Sequence, residues 1–430
     1  MSAIPRFLLV ALSLGTVALA QGGFEGPTTF KASALLPPAL VKGPHFKVAE
    51  EVKTEGYFHE FQIASDYGAV SAEGRALLEK RLREVDSLAK LDDVSKSGVF
   101  LQAAGNSVLN VGKGVASVIT KPEETMKGMG AGLKRFGTNL GRKAKRGAES
   151  AEDAVKNDDA TKDPQAAEKS STDKATEAGA GAAKSIFGVN SAMRRWAQKV
   201  GADPYTTNPV LRKALEDIAE IDAAGGIAAK VVVPIPMIVG TTATVGGLVW
   251  GKDPEELRKI NEQRLADLGA DPKVAKEFFK NKAFTPSYQT RLIAALHAVK
   301  VKGCADYVDT ASESETERDA VFFAESAEML QRFHAKVPVV ALLPDSRALV
   351  AKTKDGRAVV LLGVDWVRWS SAFQKGALEI RQRAKDELGA TKLELHLTGR
   401  ASDRAARELG ALGYEVTENV PHTVQTSVAK

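Results

Sequence analysis

Apolar and polar residues alternate in the first part of the chain, and a period of two residues predicts β-strands. The alternation runs through FKVAEEV at 46–52 and YFHEFQIA at 57–64, which flank a glycine-containing turn at 53–56. Two such segments around a short turn are typical of a β-hairpin. We therefore expect the N-terminal region, residues 21–110, to begin with an antiparallel pair of strands.

The apolar spacing changes to three and four residues from Ser71 onward, which predicts an amphipathic helix to about Leu91. The apolar face of this helix is formed by Leu78, Leu82, Val85 and Leu88. Because a hairpin is only marginally stable by itself, we expect the helix to cover one face of it.

The central region, residues 186–336, repeats a start signal for helices. Asp-Pro at 253–254 and 271–272 and Thr-Pro at 285–286 each place a capping residue before a proline, which suits the first helical turn. Helices are predicted at Pro209–Ala223, Pro254–Leu268, Pro272–Lys280, Pro286–Val299 and Glu315–Ala335. The short connections between them predict an all-α, bundle-like domain.

The last region, residues 337–430, returns to strand patterns. Three strands are predicted in VPVVALL, ALVAKT and AVVLL, and an Asp-Gly turn at 355–356 joins the last two. They are followed by a predicted helix, strand, helix and strand at Ser371–Leu388, Lys392–Leu397, Ser402–Leu412 and Tyr414–Glu418. Strand, helix and strand joined by short loops indicate a small α/β domain. The predicted fold class of the whole chain is therefore multidomain α+β.

A basic, glycine-rich segment at 111–147 follows the N-terminal region. Between Lys113 and Arg146 it contains nine basic and two acidic residues, a local charge of +7. A capping box at 120–123 predicts a helix start, and the apolar residues after it recur every three or four positions. Five glycines within Met126–Arg146 weaken that helix, so we expect it to be stable chiefly on a surface.

An anionic membrane is one surface that suits such a segment, because lipid headgroups attract basic residues near an apolar stripe. The predicted membrane-binding residues are Lys127, Met129, Leu133, Lys134, Arg135, Phe136, Leu140, Arg142, Lys143, Lys145 and Arg146. Two other interpretations remain open. The stripe could pack on the N-terminal region, or the charge could bind another polyanion such as nucleic acid, although one aromatic residue gives no stacking platform.

Two further segments differ in composition from their surroundings. Residues 148–185 are rich in charge, Ala, Ser and Gly, which predicts a disordered linker because they offer little apolar area to bury. Residues 231–251 carry no charge and are long enough to span a bilayer, but two prolines and four glycines make them a poor span. A buried hairpin within the central domain and membrane insertion are both open for 231–251.

The start of the chain predicts export. Arg6 precedes an apolar run, and small residues at 18 and 20 have the spacing of a secretory cleavage site after Ala20. About 14 apolar residues are short of the roughly 20 needed for a transmembrane anchor. We therefore expect 1–20 to be a signal peptide and the protein to be periplasmic or secreted, and membrane association of the exported protein is an open alternative. The formal net charge of +5 is modest, so the location of the charge matters more than its total.

Signatures of catalysis and cofactor binding are weak or missing. The six histidines are scattered, and a single cysteine, Cys304, allows no internal disulfide, so no metal and no cofactor is predicted. Residues 246–252 mimic a phosphate loop, but Asp253 stands where that loop needs Ser or Thr and is better explained as a helix cap. Arg400 and Ser402, between a strand end and a helix start, are the predicted anion-binding residues, with an ordinary turn as the alternative.

Four segments together resemble a family of exported bacterial proteins with no known activity. They are SDYGAVSAEGRALL, the basic glycine-rich stretch, ADPYTTNPVL and LTGRASDRAARELG. The resemblance implies export and the same order of regions, and it implies no catalytic residue. The sequence thus predicts an exported, non-enzymatic envelope protein on an anionic membrane. The alternatives are a ligand binder or enzyme using the C-terminal domain, and a secreted effector that permeabilises membranes.

Overall fold

Two β-sheets with helices around and between them form the fold, which a computed structural model describes for residues 23–97, 190–225 and 243–421. The predicted α+β class is confirmed, with an antiparallel sheet first, helices next and a second sheet last. The predictions for the signal peptide (1–20), the linker (148–185) and the basic segment (111–147) lie outside the described residues, and they stay predictions.

The first sheet is antiparallel and is built from short strands. These are β1 (Thr28–Lys31), β2 (Lys42–Gly43), β3 (Phe46–Val48), β4 (Glu51–Thr54), β5 (Glu60–Ser65) and β6 (Gly68–Glu73), with helices α1 (Ala32–Leu35) and α2 (Pro38–Val41) after β1. The strand order is β1-β4-β5-β3-β2, and β6 pairs with β5. The predicted pairing of 46–52 with 57–64 is confirmed, although the first segment is divided between β3 and β4, which both pair with β5.

Helix α3 (Arg75–Ser95) covers this sheet as predicted, because Leu78 and Leu82 share one hydrophobic core with Phe61 and Ile63. The predicted start at Ser71 is wrong. Residues 71–73 belong to β6, where Ser71 lies opposite Gln62 in the antiparallel ladder. The hydrogen bonds of that ladder keep these residues extended, and the helix begins only after Gly74.

The central region contains the predicted helices and three more. The helices are α4 (residues 190–200), α5 (Pro209–Gly225), α6 (Ala243–Gly251), α7 (Pro254–Asp267), α8 (Pro272–Lys280), α9 (Pro286–Val299), α10 (Cys304–Ala311) and α11 (Glu317–His334). The predicted caps are confirmed, since the side chains of Asp253, Asp271 and Thr285 accept backbone N–H groups of the helices that follow. The sequence reading missed α4, α6 and α10, and α10 follows Gly303 without a side-chain cap.

The second sheet has five strands. They are β7 (Val339–Leu342), β8 (Leu349–Thr353), β9 (Arg357–Leu362), β11 (Lys392–Leu397) and β13 (Tyr414–Thr417), in the order β13-β11-β9-β8-β7. Helices α12 (Ser371–Leu388) and α13 (Asp403–Ala411) connect the parallel strands β9, β11 and β13. The predicted βαβ arrangement is therefore confirmed. The short strands β10 (Trp366–Val367) and β12 (Arg400–Ala401) pair separately.

One hydrophobic core runs from the first sheet through the central helices to the second sheet. Helix α11 lies within this core and contacts α3, α9, β8 and β9. Phe322 on α11 and Phe58 of the N-terminal region form a T-shaped ring pair, with 6.4 Å between the ring centroids. The described parts of the three predicted domains are thus packed against one another.

Candidate functional site

A second, smaller core joins α3, α4 and α5 into a three-helix bundle. Trp196 of α4 is fully buried at its centre. It is surrounded by Leu88, Leu91, Val94, Ala197, Val200, Ala202, Leu211, Ala214, Leu215 and Ile218. Contacts between the three helices show the direction in which each one runs relative to the other two.

Helix α4 runs antiparallel to both of its neighbours. The hydroxyl of Ser87, in the middle of α3, donates to the carbonyl oxygen of Val200 at the end of α4, at 3.2 Å. Arg195 of α4 pairs with Asp222 near the end of α5, at 3.1 Å. The start of α5 lies beside the middle of α3, because the amide of Asn208 donates to Glu84 at 3.1 Å. The end of α3, the start of α4 and the end of α5 therefore share one end of the bundle.

This bundle end is where two segments singled out by the sequence are attached. The chain leaves it at 97 and returns at 190, and the basic segment lies between these positions. The chain leaves it again at 225, just before the apolar stretch that starts at 231. The basic segment and the apolar stretch are more than 80 residues apart in sequence. Only the packing of the helices shows that the chain enters both of them from the same end of the bundle.

A partly buried ionic network attaches the loop between α4 and α5 to α3 and α11. Glu317 at the start of α11 accepts from the Lys80 ammonium at 2.7 Å and from the Arg81 guanidinium at 2.6 Å. Thr207 of the loop also donates to Glu317, at 2.7 Å. Burial by itself would raise the pKa of the Glu317 carboxyl, but Lys80 and Arg81 outweigh it and lower the pKa to about 2.

The last part of the apolar stretch 231–251 is helix α6, whose helical form the sequence reading did not foresee. Val245 and Val249 are buried, and the indole N–H of Trp250 donates to the carbonyl oxygen of Ala202 at 2.9 Å. The phosphate-loop mimic at 246–252 is mostly helical, and Asp253 caps the next helix. None of the helices in the described ranges combines the length and apolar character needed to cross a bilayer.

The predicted anion site lies at the start of α13, where the structure places a carboxylate of the chain itself. Ser402 caps α13 by accepting from the Ala405 N–H at 3.0 Å, and its hydroxyl donates to Glu25 at 2.6 Å. The backbone N–H of Trp369 donates to the same carboxylate oxygen of Glu25, at 2.5 Å. Ser402 thus lies at a carboxylate-binding position.

Arg400 does not contact this carboxylate in the structure. Its side chain is about two-thirds exposed, and its Nε lies 3.7 Å from Glu418. Two arginines that the sequence reading missed hold the backbone around Glu25 instead. Arg368 donates to the Glu25 carbonyl oxygen at 2.7 Å, and Arg404 donates to that of Gly23. No pattern in the sequence connects residue 25 with positions 343 to 377 residues later.

An apolar cleft of about 30 Å³ lies between α12 and the second sheet, away from Ser402. Val360, Phe373, Leu395 and Tyr414 are among the side chains that line it. An engineered dry cavity that binds benzene has a volume of about 150 Å³. This cleft is therefore too small to support a ligand site as it stands.

The buried polar side chains of the first sheet do not form a catalytic arrangement. Thr54 and the Nδ1 of His59 are 2.7 Å apart, but Asp365 accepts from the backbone N–H of His59 and not from its ring. Burial lowers the pKa of His59. Within the described ranges, no three His, Cys, Asp or Glu side chains are grouped so that they could hold a metal ion.

The fold is that of a mixed α+β protein. The chain enters the segments after 97 and after 225 from one end of its three-helix bundle, and the residues around Glu25 contact the region of the second sheet. No protein-family model, no curated protein and no solved structure matches the chain. The resemblance to exported bacterial proteins therefore stays a prediction from sequence.

Proposed function

We propose that this protein is an exported, non-enzymatic envelope protein that associates with an anionic membrane surface through the basic segment 111–147. The observation that carries the proposal is the local charge of +7 beside an apolar stripe in that segment. Each basic residue near an anionic surface contributes about 1 kcal/mol, so several of them are enough for peripheral binding.

The arrangement of the bundle supports this role. The ends of the long segment, 97 and 190, lie at the bundle end from which the chain also leaves at 225 toward the apolar residues 231–242. Both segments are therefore entered from the same end of the bundle, and in this proposal the membrane lies on that side of the protein. Electrostatic and apolar contacts from one side of the protein would act together in binding.

The proposal is tested by binding of the purified protein without residues 1–20 to lipid vesicles at low salt. We expect binding to vesicles that contain anionic lipid, little binding to neutral ones, and release by high salt. Joint substitution of Lys134, Arg135, Arg142 and Lys143 by glutamine should weaken binding roughly 100- to 1,000-fold.

A charge-matched control replaces four exposed lysines elsewhere on the described surface, Lys42, Lys47, Lys273 and Lys276, by glutamine. If this control loses as much affinity as the test variant, only the total charge matters and the assignment to 111–147 is wrong. Equal binding to neutral vesicles would remove the electrostatic basis. Release of an entrapped dye would favour instead a membrane-permeabilising effector.

A further inference from the structure

The residues just before the first sheet form a strap, residues 23–26, that lies against the start of α13. Its central contact is the Glu25 carboxylate, which accepts from the Ser402 hydroxyl and from the Trp369 N–H. The N–H groups of the first helical turn carry a partial positive charge that favours a carboxylate at this position. Trp369 precedes α12 and is not part of α13, so the donors come from two separate elements.

The same site also binds the main chain of the strap. The Glu25 N–H donates to the Trp369 carbonyl oxygen at 2.9 Å, and the Arg368 guanidinium donates to the Glu25 carbonyl oxygen at 2.7 Å. Arg404 binds the carbonyl oxygen of Gly23. These groups bind main-chain atoms and a single acidic side chain, and contacts of these two kinds give short-peptide sites their affinity and their specificity.

The strap itself adds little beyond these polar contacts. Phe24 is 52% exposed, so the strap buries no large apolar anchor here. A Cβ built on Gly23 or Gly26 meets nothing within 4 Å, so packing requires glycine at neither position. Flanking glycines increase the entropy that is lost when the strap docks. The recognition groups thus belong to the folded surface, and the strap is a weakly anchored occupant.

We infer that the surface formed by Trp369, Arg368, Ser402 and Arg404 is a binding site for an extended peptide with an acidic side chain, and that residues 23–26 occupy it as an intramolecular ligand. A tethered segment has a high effective concentration, so it excludes a free peptide of similar affinity. A partner segment gains access when the strap is weakened or displaced. This inference is independent of membrane binding by residues 111–147.

The first test uses the protein without residues 1–20 and its Glu25→Ala variant, with sodium acetate as the probe and sodium chloride at equal ionic strength as the reference. The variant should unfold about 2–4 °C below the parent protein, and 100 mM acetate should restore roughly half of that difference. Acetate should not stabilise the parent protein, whose site is filled. If acetate stabilises both proteins equally, or stabilises neither, the proposal of a carboxylate-binding site is refuted.

The double variant Glu25→Ala, Ser402→Gly is the matched control for acetate. Glycine is well tolerated at the cap of a helix, so this substitution removes the hydroxyl donor while it largely keeps α13. The acetate effect should be lost in this variant. If it persists, Ser402 does not belong to the site.

The second test measures the binding of a labelled peptide with the sequence QGGFEGPT, which is residues 21–28. We expect it to bind the Glu25→Ala variant at least tenfold more tightly than a peptide with glutamine in place of the glutamate, and not to bind the parent protein. Equal binding of the two peptides, or binding to the parent protein, would show that the peptide is recognised elsewhere. Acetate stabilisation without peptide binding would refute peptide recognition.

Discussion

The carboxylate of Asp365 accepts hydrogen bonds from the backbone N–H of Arg75, at 3.1 and 3.2 Å, across 290 residues of sequence. Arg75 is the first residue of α3, and the preceding Gly74 offers no side chain to cap the helix. The same carboxylate accepts from the N–H of His59 at 2.9 Å. Asp365 of the C-terminal region thus caps α3, which is one of the three helices of the bundle.

Replacement of Asp365 by alanine should lower the free energy of unfolding by about 2–3 kcal/mol. The change leaves the buried N–H of His59 and the partly buried N–H of Arg75 without this acceptor, and it removes a negative charge from the start of a helix. Asparagine keeps one acceptor oxygen and should cost less. Urea denaturation measures the difference, and Asp386→Asn on the exposed face of α12 should stay within about 0.5 kcal/mol of the parent protein. A similar loss at Asp386 would contradict the specific role of Asp365.

Gly399 should not tolerate a side chain. A Cβ at this position would lie 1.9 Å from the carbonyl oxygen of Asp365, which is backbone and cannot turn away as a side chain can. Gly399→Ala should therefore destabilise the protein by about 3 kcal/mol or more. Gly376→Ala is the matched substitution, because a Cβ at this position inside α12 would meet nothing within 4 Å. It should stabilise the protein by about 0.5–1 kcal/mol. Opposite shifts of the thermal midpoint would support the close approach at Gly399, and equal shifts would refute it.

The ionic network around Glu317 should make stability depend on pH in acid. The carboxyl pKa is about 2 in the folded protein and about 4.5 in the unfolded chain, so the unfolded state binds a proton first as the pH falls. The stabilisation is complete above pH 4.5 and is lost between pH 4.5 and 2. It amounts to roughly 3 kcal/mol.

The measurement for Glu317 is urea denaturation at pH 7 and at pH 3. Glu317→Gln cannot titrate, so it should be less stable than the parent protein at pH 7 and should lose less stability on acidification. If the parent and the variant lose the same amount between these two pH values, other carboxyls account for the acid sensitivity.

Cys304 should be unreactive in the folded protein. Its side chain is fully buried, and burial raises the pKa of the thiol to about 11, so little thiolate is present at pH 8. A thiol-specific disulfide reagent should therefore modify one thiol only after unfolding in urea. Rapid modification without denaturant would show that the segment around α10 opens readily.

Local signals predicted the helices that begin with their own caps. Asp271 and Ser370 each accept from a backbone N–H of the helix that follows, and the predicted bounds Pro272–Lys280 and Ser371–Leu388 are confirmed. The start of α3 was predicted four residues too early, since the hydrogen bonds that keep Ser71 extended come from β5 and the cap comes from Asp365. Neither partner can be read from the sequence around Ser71.

In the candidate sites, too, the sequence predicted the local features and missed the contacts between distant residues. Ser402 was found from sequence because a cap before a helix is a local pattern. Glu25, Arg368 and Arg404 were not found, because the strap meets the two arginines and Ser402 only in the folded chain.

The sequence by itself determined the α+β class, most helix limits and the position of the basic segment, since period, caps and charge act between near neighbours. Only the tertiary structure decided which carboxylate faces Ser402, which residue caps α3 and which end of the bundle carries the long segments. These contacts join residues far apart in the chain, and they form because the chain buries its apolar surface in shared cores.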